Sequence, residues 1–221
     1  MIIYNCQQGT QEWYSARAGV ITASQFKLAR SRLKSGPRKG QYTEAALDYA
    51  FMTAVERISG DPLNEGFETY HMRRGHELEP LARMSHEAET GLIVTETGFI
   101  TDDNGVFGAS ADGLINTSEN FALASDGGSE YKCFTSPEKV RAFWMNDDIG
   151  DVMDQVQGGM WLTGRDWWHL GMYCPALEPC GKELWLKEFK RDDDYIEKMV
   201  SDLLEFKNVV DEFESKLRDQ K

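Results

Sequence analysis

Three charged residues in the middle of the chain have the types and the spacing to bind a metal ion. Asp112 lies in a turn before Gly113, and the segment Glu130-Tyr131-Lys132 follows eighteen positions later. Because alternate side chains of a strand point to the same face, Glu130 and Lys132 would share a face. If Asp112 ends the neighbouring strand, two carboxylates and one ammonium group converge on one patch.

The chemistry of this trio favours a hard cation. Two adjacent carboxylates repel each other unless a positive charge lies between them. Oxygen ligands without a nearby His or Cys suit magnesium or manganese better than zinc. Lys132 would then lie beside the metal ion, where an attacking water is held. Two simpler readings stay open, since Asp112 is also a common turn residue and an isolated Glu-x-Lys is usually an exposed pair.

The composition predicts a globular protein with one domain over residues 1–221. Hydrophobic residues make up 41% of the 221 residues and aromatic residues 11%, which is enough for a sizeable core. No apolar run reaches the length of a membrane span, and the first ten residues do not form a signal peptide. We therefore expect a cytoplasmic protein without a membrane partner. The four cysteines have no paired spacing, which indicates free thiols.

The charge distribution gives a mixed indication about nucleic acid. A formal net charge of −13 argues against a polyanionic partner. The segment between Gln25 and Gly40 nevertheless contains basic residues and no acid, so a polyanion could be held locally. The alternative is a solvated basic loop. The basic residues of this segment are Lys27, Arg30, Arg32, Lys34, Arg38 and Lys39.

The segment from Trp13 to Ser24 predicts two short helices separated by Gly19, the second capped by Thr22 or Ser24. Arg17, Ser24 and a free helix N-terminus could form a phosphate pocket, because a guanidinium and a helix N-terminus both favour that anion. The alternative is an ordinary surface arginine and a capping serine.

The remaining pattern predicts an α/β (α+β) fold in which strands alternate with helices around one central mixed sheet. Thr43 caps a helix that ends at Gly60, and Pro80 should kink or restart the helix over residues 70–90. Further helices are predicted over 136–146, 151–163 and 192–218. Strands are predicted over 92–101, 106–109, 166–174 and 183–190.

The trio resembles the Pro-Asp … Asp/Glu-x-Lys signature of nucleases with the restriction-endonuclease-like fold. Within these nucleases, the chain resembles the family of phage lambda exonuclease and the alkaline exonucleases over nearly its whole length. Five motifs carry this resemblance in the same order, namely Trp13 to Ser24, Gly75-x-x-x-Glu79, Ser110-x-Asp112-Gly113, Glu130-x-Lys132-Cys133 and Gln155-Val156-Gln157.

The resemblance implies roles for particular residues. Asp112 and Glu130 would hold Mg²⁺, with Mn²⁺ able to substitute, and Lys132 would orient or activate the water. Glu79 would support a second metal ion, and Gln155 would lie near the site. The 5′-phosphate of a DNA end would be held by Arg17, Ser24 and Ser110.

The resemblance also implies an activity and partners. The expected activity is 5′-to-3′ exonuclease digestion of one strand of linear double-stranded DNA, which leaves a 3′ single strand for recombination. The family implies a homotrimeric ring, a single-strand annealing protein as partner, and a phage or prophage origin in a bacterial host cell. Two alternatives stay open, an endonuclease of the same fold and a non-catalytic module that binds DNA ends.

The chain departs from the family pattern at three positions. Ala111 replaces the proline before the catalytic aspartate, at a position that shapes the turn and makes no metal bond. Tyr131 stands where an aliphatic residue is common, and it should point away from the catalytic face. Phe134 stands where relatives often carry proline.

Overall fold

The computed structural model describes residues 1–63, 70–133 and 136–219, apart from the side chains of residues 70–72 and 151, so that Phe134 lies outside the described residues. The secondary-structure elements, in chain order, are β1 (Ile2–Tyr4), α1 (Gln11–Arg17), β2 (Ile21–Thr22), α2 (Phe26–Ala29), α3 (Glu44–Ser59), α4 (Tyr70–Thr90), β3 (Phe99–Thr101), β4 (Phe107–Ala109), β5 (Gly113–Ile115), β6 (Gly127–Lys132), α5 (Pro137–Asn146), α6 (Met153–Thr163), β7 (Trp167–Tyr173), β8 (Leu184–Lys190) and α7 (Asp193–Asp219).

The chain divides into two compact units, each made of separate segments. The first unit comprises Met1–Glu65, Gly98–Ser110 and Asp192–Lys221, and the second comprises Gly66–Thr97 and Ala111–Arg191. The prediction of a single nuclease domain over residues 1–221 stays a prediction.

The first unit contains a four-stranded mixed sheet in the order β1-β3-β4-β2. Strands β3 and β4 form an antiparallel hairpin, and the Asp102 carboxylate accepts hydrogen bonds from the amides of Val106 at 2.7 Å and Phe107 at 2.9 Å. Strand β2 pairs in parallel with β4, and β1 pairs antiparallel with β3. Helices α3 and α7 pack together, with the Tyr49 ring stacked on Phe206 at 5.6 Å between centroids.

The basic segment between residues 25 and 40 is largely matched by acidic side chains of its own unit. Arg30 pairs with Asp202 at 2.8 Å and Arg32 with Glu205 at 2.6 Å, both on α7. Arg38 pairs with Glu44 at 3.0 Å. These ion pairs favour the alternative of a structural, solvated loop over a polyanion site.

The second unit contains a mixed sheet in the order β5-β6-β7-β8, in which only β6 and β7 are parallel. One face packs on α5 and α6 through a core that includes Phe143, Val156, Met160 and Trp168. The other face packs on α4 through Leu78, Ala82, Tyr131, Tyr173 and Leu184. The sheet therefore lies between helices on both faces.

The predicted fold class, a mixed α/β arrangement flanked by helices, is confirmed, and most predicted elements are present. The strands form two four-stranded sheets where the sequence predicted one. The strand predicted over residues 92–101 is restricted to Phe99–Thr101, and α4 continues through Pro80. No helix in the described ranges has both the length and the apolar character needed to cross a bilayer.

Candidate active site

The pairing of β5 with β6 brings Asp112 beside Glu130. Gly113 pairs with Ser129 in an antiparallel register, so Asp112 immediately precedes the paired segment. The Asp112 amide donates to the Ser129 carbonyl at 3.2 Å, and the Tyr131 amide donates to Asp112 Oδ2 at 2.6 Å. Asp112 thus begins the adjoining strand rather than ending it, and its carboxylate is anchored to the backbone of β6.

Gln155 on α6 joins the two charged side chains of β6. Lys132 Nζ donates to Glu130 Oε1 at 2.8 Å and to Gln155 Oε1 at 2.8 Å. Gln155 Nε2 donates to the same Glu130 oxygen at 2.6 Å. The side-chain amide therefore uses both its acceptor and its donor in the site, and it fixes Glu130 and Lys132 relative to α6.

The carboxylates of the site interact unfavourably with one another. Burial raises the pKa of Asp112 well above its usual value, and the nearby charges of Glu130 and Glu79 raise it further. Burial also raises the pKa of Glu79, opposed by Arg83 and reinforced by Glu130. The structure therefore places Glu79, from α4, within electrostatic reach of Asp112 and Glu130, and the site holds an excess of negative charge.

Lys132 is held as an ammonium group. Burial alone would lower its pKa, but the charges of Glu130 and Asp112 and the hydrogen bond to Glu130 outweigh burial and raise it. Cys133, the next residue, has its pKa raised to about 12 by burial and by the charges of Asp112 and Glu79. A thiolate nucleophile is therefore excluded at this position at neutral pH, whereas a fixed positive charge is present.

The residues present fit a magnesium ion with few protein ligands. Among the described residues, no three His, Cys, Asp or Glu side chains lie together as a ready set of metal ligands. Mg²⁺ usually keeps several waters and is bound through one or two carboxylates together with substrate phosphates. The buried Asp112 carboxylate beside Glu130 meets that requirement, because a cation would relieve the repulsion that raises its pKa.

A second cluster lies in the first unit around Arg17, the last residue of α1. Arg17 Nη1 donates to Ser110 Oγ at 3.1 Å, and the guanidinium lies 4.1 Å from the Trp13 ring centroid. Trp13 Nε1 donates to the same Ser110 oxygen at 2.8 Å. Burial lowers the pKa of Arg17, while the charge of Glu56 opposes that shift. A partly buried guanidinium of this kind can receive an anion.

Ser24 lies apart from the contacts described for this cluster. It is exposed in a 3₁₀ turn over Ala23–Gln25, and its hydroxyl is 3.3 Å from that of Thr22. The predicted helix cap is wrong, since α2 begins at Phe26 after Gln25 and no side chain caps either element. The assignment of Ser24 to a phosphate pocket stays a prediction, without the helix N-terminus that supported it.

For Trp13 and Arg83, no role in either cluster was predicted from the sequence. Trp13 and Arg17 are four residues apart on a helix, a spacing that places them on one face and could have linked them. Arg83 follows Glu79 at the same spacing, donates to the Asp112 carbonyl at 3.5 Å and forms an ion pair with Glu96. Its contact with Asp112 had no signal in the sequence, because the two residues belong to distant segments.

Comparisons with known proteins identify the family to which the chain belongs. The chain matches the YqaJ-like viral recombinase domain over residues 12–166, more than half of its length. Its structure is similar to that of the alkaline exonuclease LHK-Exo from Laribacter hongkongensis, with 27% sequence identity. The match covers 95% of this chain and 96% of that chain. The TM-score is 0.76 for one LHK-Exo structure and 0.78 for its complex with dAMP. It shares the fold of a phage-related exonuclease from Haemophilus somnus 129PT at 18% identity, with 90% of this chain and 96% of that chain covered and a TM-score of 0.63.

A search of curated protein sequences found no match. The family match covers both the Arg17 cluster and the carboxylate site, and it suggests a nuclease or recombination function that involves DNA. The resemblance to the lambda exonuclease and alkaline exonuclease family is thereby confirmed. The chain belongs to the family of YqaJ-like viral recombinase domains.

Proposed function

We propose that the protein is a magnesium-dependent exonuclease that degrades one strand of linear double-stranded DNA in the 5′-to-3′ direction from a 5′-phosphorylated end. The observation that carries this proposal is the convergence of Asp112, Glu130, Lys132 and Gln155 at the junction of β5, β6 and α6. A buried carboxylate pair beside a fixed ammonium group is suited to hydrolysis of a phosphodiester.

Asp112 and Glu130 would hold the metal ion, and Glu79 would support a second one. Magnesium bound there would lower the pKa of the attacking water and would stabilise negative charge on the leaving 3′ oxygen. Mn²⁺, which accepts the same oxygen ligands, would substitute for it.

Lys132 acts as a charged donor rather than as a base. Its pKa is raised by Glu130 and Asp112, so it carries no free electron pair with which to accept a proton at neutral pH. Its ammonium group can hold the attacking water and offset charge on the phosphoryl oxygens. Gln155 keeps the ammonium group in place, because its carbonyl oxygen accepts from Lys132 Nζ at 2.8 Å.

End recognition is assigned to Arg17 and Ser110, with Ser24 as a further candidate. A terminal phosphate would pair with the partly buried guanidinium, and the Ser110 hydroxyl already lies 3.1 Å from Arg17 Nη1. Contacts to a phosphate carry no sequence information, so digestion should depend weakly on sequence and strongly on salt. The complex of LHK-Exo with dAMP agrees with this proposal, since a 5′-mononucleotide is the product expected of such digestion.

The proposed biological role is recombination of linear DNA ends. The 3′ single strand left by digestion is a substrate for strand annealing, which gives a single-strand annealing protein as the proposed partner. A homotrimeric ring around the duplex is the proposed assembly, and a phage or prophage the proposed origin.

The proposal is tested with linear duplex carrying a phosphate on one 5′ end, compared with covalently closed circular DNA. We expect magnesium-dependent loss of the phosphorylated strand and no cleavage of the circle. Cleavage of the circle would favour the endonuclease, and binding of linear DNA without cleavage would favour the non-catalytic module.

The site assignment is tested with Glu130→Gln, Asp112→Asn and Lys132→Ala. Each should abolish digestion while circular dichroism shows a folded protein. Glu138→Gln, at an exposed position of α5 in the same unit, makes the same chemical change as Glu130→Gln and should digest at the parent rate. Full activity of Asp112→Asn or Lys132→Ala would contradict the assignment.

A further inference from the structure

A continuous row of buried polar side chains lies behind β6 in the second unit. Tyr131 Oη is 2.7 Å from His86 Nδ1, and His86 Nε2 is 2.7 Å from His169 Nδ1. His169 Nε2 lies 3.7 Å from Glu188 Oε2, which is partly exposed. The four residues belong to β6, α4, β7 and β8, so the row connects the sheet to the helix on that face.

The hydrogen-bonding capacity of a neutral imidazole gives the row a direction. Such a ring has one donor and one acceptor nitrogen. When the Tyr131 hydroxyl donates to His86 Nδ1, His86 Nε2 carries the ring hydrogen and donates to His169 Nδ1.

Both imidazoles are neutral at physiological pH. Burial lowers the pKa of His86 to about 4, with His169 contributing to the same shift. Burial lowers the pKa of His169 and Lys190 adds to that shift, although Glu188 opposes it. The one-directional arrangement is therefore complete under the conditions in which a nuclease would work.

Tyr131 connects this row to the candidate active site because it is held at both ends. Its ring hydroxyl is bound by His86, and its amide donates to Asp112 Oδ2 at 2.6 Å. Tyr131 is 6% exposed and His86 is fully buried, so the bond between them is shielded from water. A change in the position of Tyr131 would therefore turn the Asp112 carboxylate.

We propose that His86 and His169 are positioning residues which, acting through Tyr131, set the orientation of the Asp112 carboxylate. The inference rests on the proposed nuclease function for its catalytic consequence, but the geometric consequence can be measured without activity. Neither histidine would touch the substrate.

The first test is Tyr131→Phe, which removes one hydroxyl group and leaves the ring. Loss of a hydrogen bond that orients a metal-binding side chain typically reduces activity about 10- to 100-fold, so we expect kcat to fall by about tenfold or more, with KM for DNA within about twofold. The matched control is Tyr173→Phe, the same change in the same apolar cluster on neighbouring β7. The Tyr173 hydroxyl forms no hydrogen bond with the described residues. The kcat of Tyr173→Phe should therefore equal that of the parent protein.

The second test follows the amide proton of residue 131 by ¹H–¹⁵N NMR in uniformly labelled protein. A hydrogen bond to a carboxylate moves this signal downfield. If the Asp112 carboxylate turns away, the signal should move upfield in Tyr131→Phe and in His86→Leu. It should keep its position in Tyr173→Phe. Circular dichroism of all three variants distinguishes this local change from unfolding. If His86→Leu does not fold, the test depends on Tyr131→Phe.

The outcomes distinguish this inference from the proposed function. If the parent protein digests no DNA but the residue 131 amide moves, the proposed function fails and the positioning role stands. In an active parent protein, either a fall in kcat without movement of the amide or movement of the amide without a fall in kcat overturns the positioning role. No change in either measurement overturns it as well.

Discussion

Acidification should destabilise the protein in part through a single imidazole, that of His86. Its pKa is lowered from 6.5 to about 4 in the folded chain, mainly by burial. Between these two values the unfolded chain binds a proton that the folded chain does not. The contribution of His86 to the free energy of unfolding is therefore fully present above pH 6.5 and is lost as the pH falls toward 4.

The size of this effect follows from the shift. One pKa unit corresponds to about 1.4 kcal/mol, so the full shift corresponds to roughly 3 kcal/mol. Integration of proton binding for one site gives a loss of about 2 kcal/mol between pH 7 and pH 5. The pKa of His169 is lowered as well, so its contribution has the same sign.

The measurement is urea unfolding at a series of pH values between 5 and 8, for the parent protein and for His86→Gln. Glutamine can donate and accept hydrogen bonds but does not titrate. Between pH 7 and pH 5, the free energy of unfolding of the variant should therefore fall by about 2 kcal/mol less than that of the parent. His76→Gln is the control, because His76 is exposed on the same helix and its surroundings change less on unfolding. Parallel pH profiles for the parent and His86→Gln would refute the reasoning.

Four further predictions concern the two clusters and the first sheet. Gln155→Leu should lower kcat by roughly 10- to 100-fold, because Glu130 and Lys132 lose the amide that joins them; single-turnover digestion checks this, and a parent-like rate would contradict it. Arg17→Ala should digest 5′-phosphorylated and 5′-hydroxyl ends at equal rates, and a retained preference for phosphorylated ends would contradict the assignment of Arg17 to a phosphate pocket. Chelation of metal with EDTA should stop digestion and added Mg²⁺ or Mn²⁺ should restore it, whereas digestion in excess EDTA would disprove the metal site. Gly98→Ala should lower thermal stability by about 2 kcal/mol or more, because a Cβ atom there would lie 2.1 Å from the Tyr4 carbonyl oxygen; an unchanged melting temperature would argue against that close approach.

Local patterns in the sequence were sufficient to predict most of the helices and the strand that carries Glu130 and Lys132. Thr43 accepts from the Ala46 amide at the start of α3, and Gly60 ends that helix with φ +77°, because capping depends on a few neighbouring residues. The alternation of side chains along a strand likewise predicted that Glu130 and Lys132 share a face, while Tyr131 contacts α4.

Contacts between distant segments could not be predicted in this way. Strand β1 is exposed on all three residues and lacks the alternation of a half-buried strand, so its pairing with β3 had no local signal. The division of the strands between two sheets depends on pairings of the same kind.

The sequence by itself determined the types of residue that could hold a hard cation and the strand on which Glu130 and Lys132 share a face. Tertiary structure decided which other side chains meet them, such as Gln155 from α6 and, through Tyr131, His86 from α4. The physical reason is that periodicity and capping are short-range properties of the backbone. Hydrogen bonds between segments tens of residues apart depend on how whole helices and strands pack.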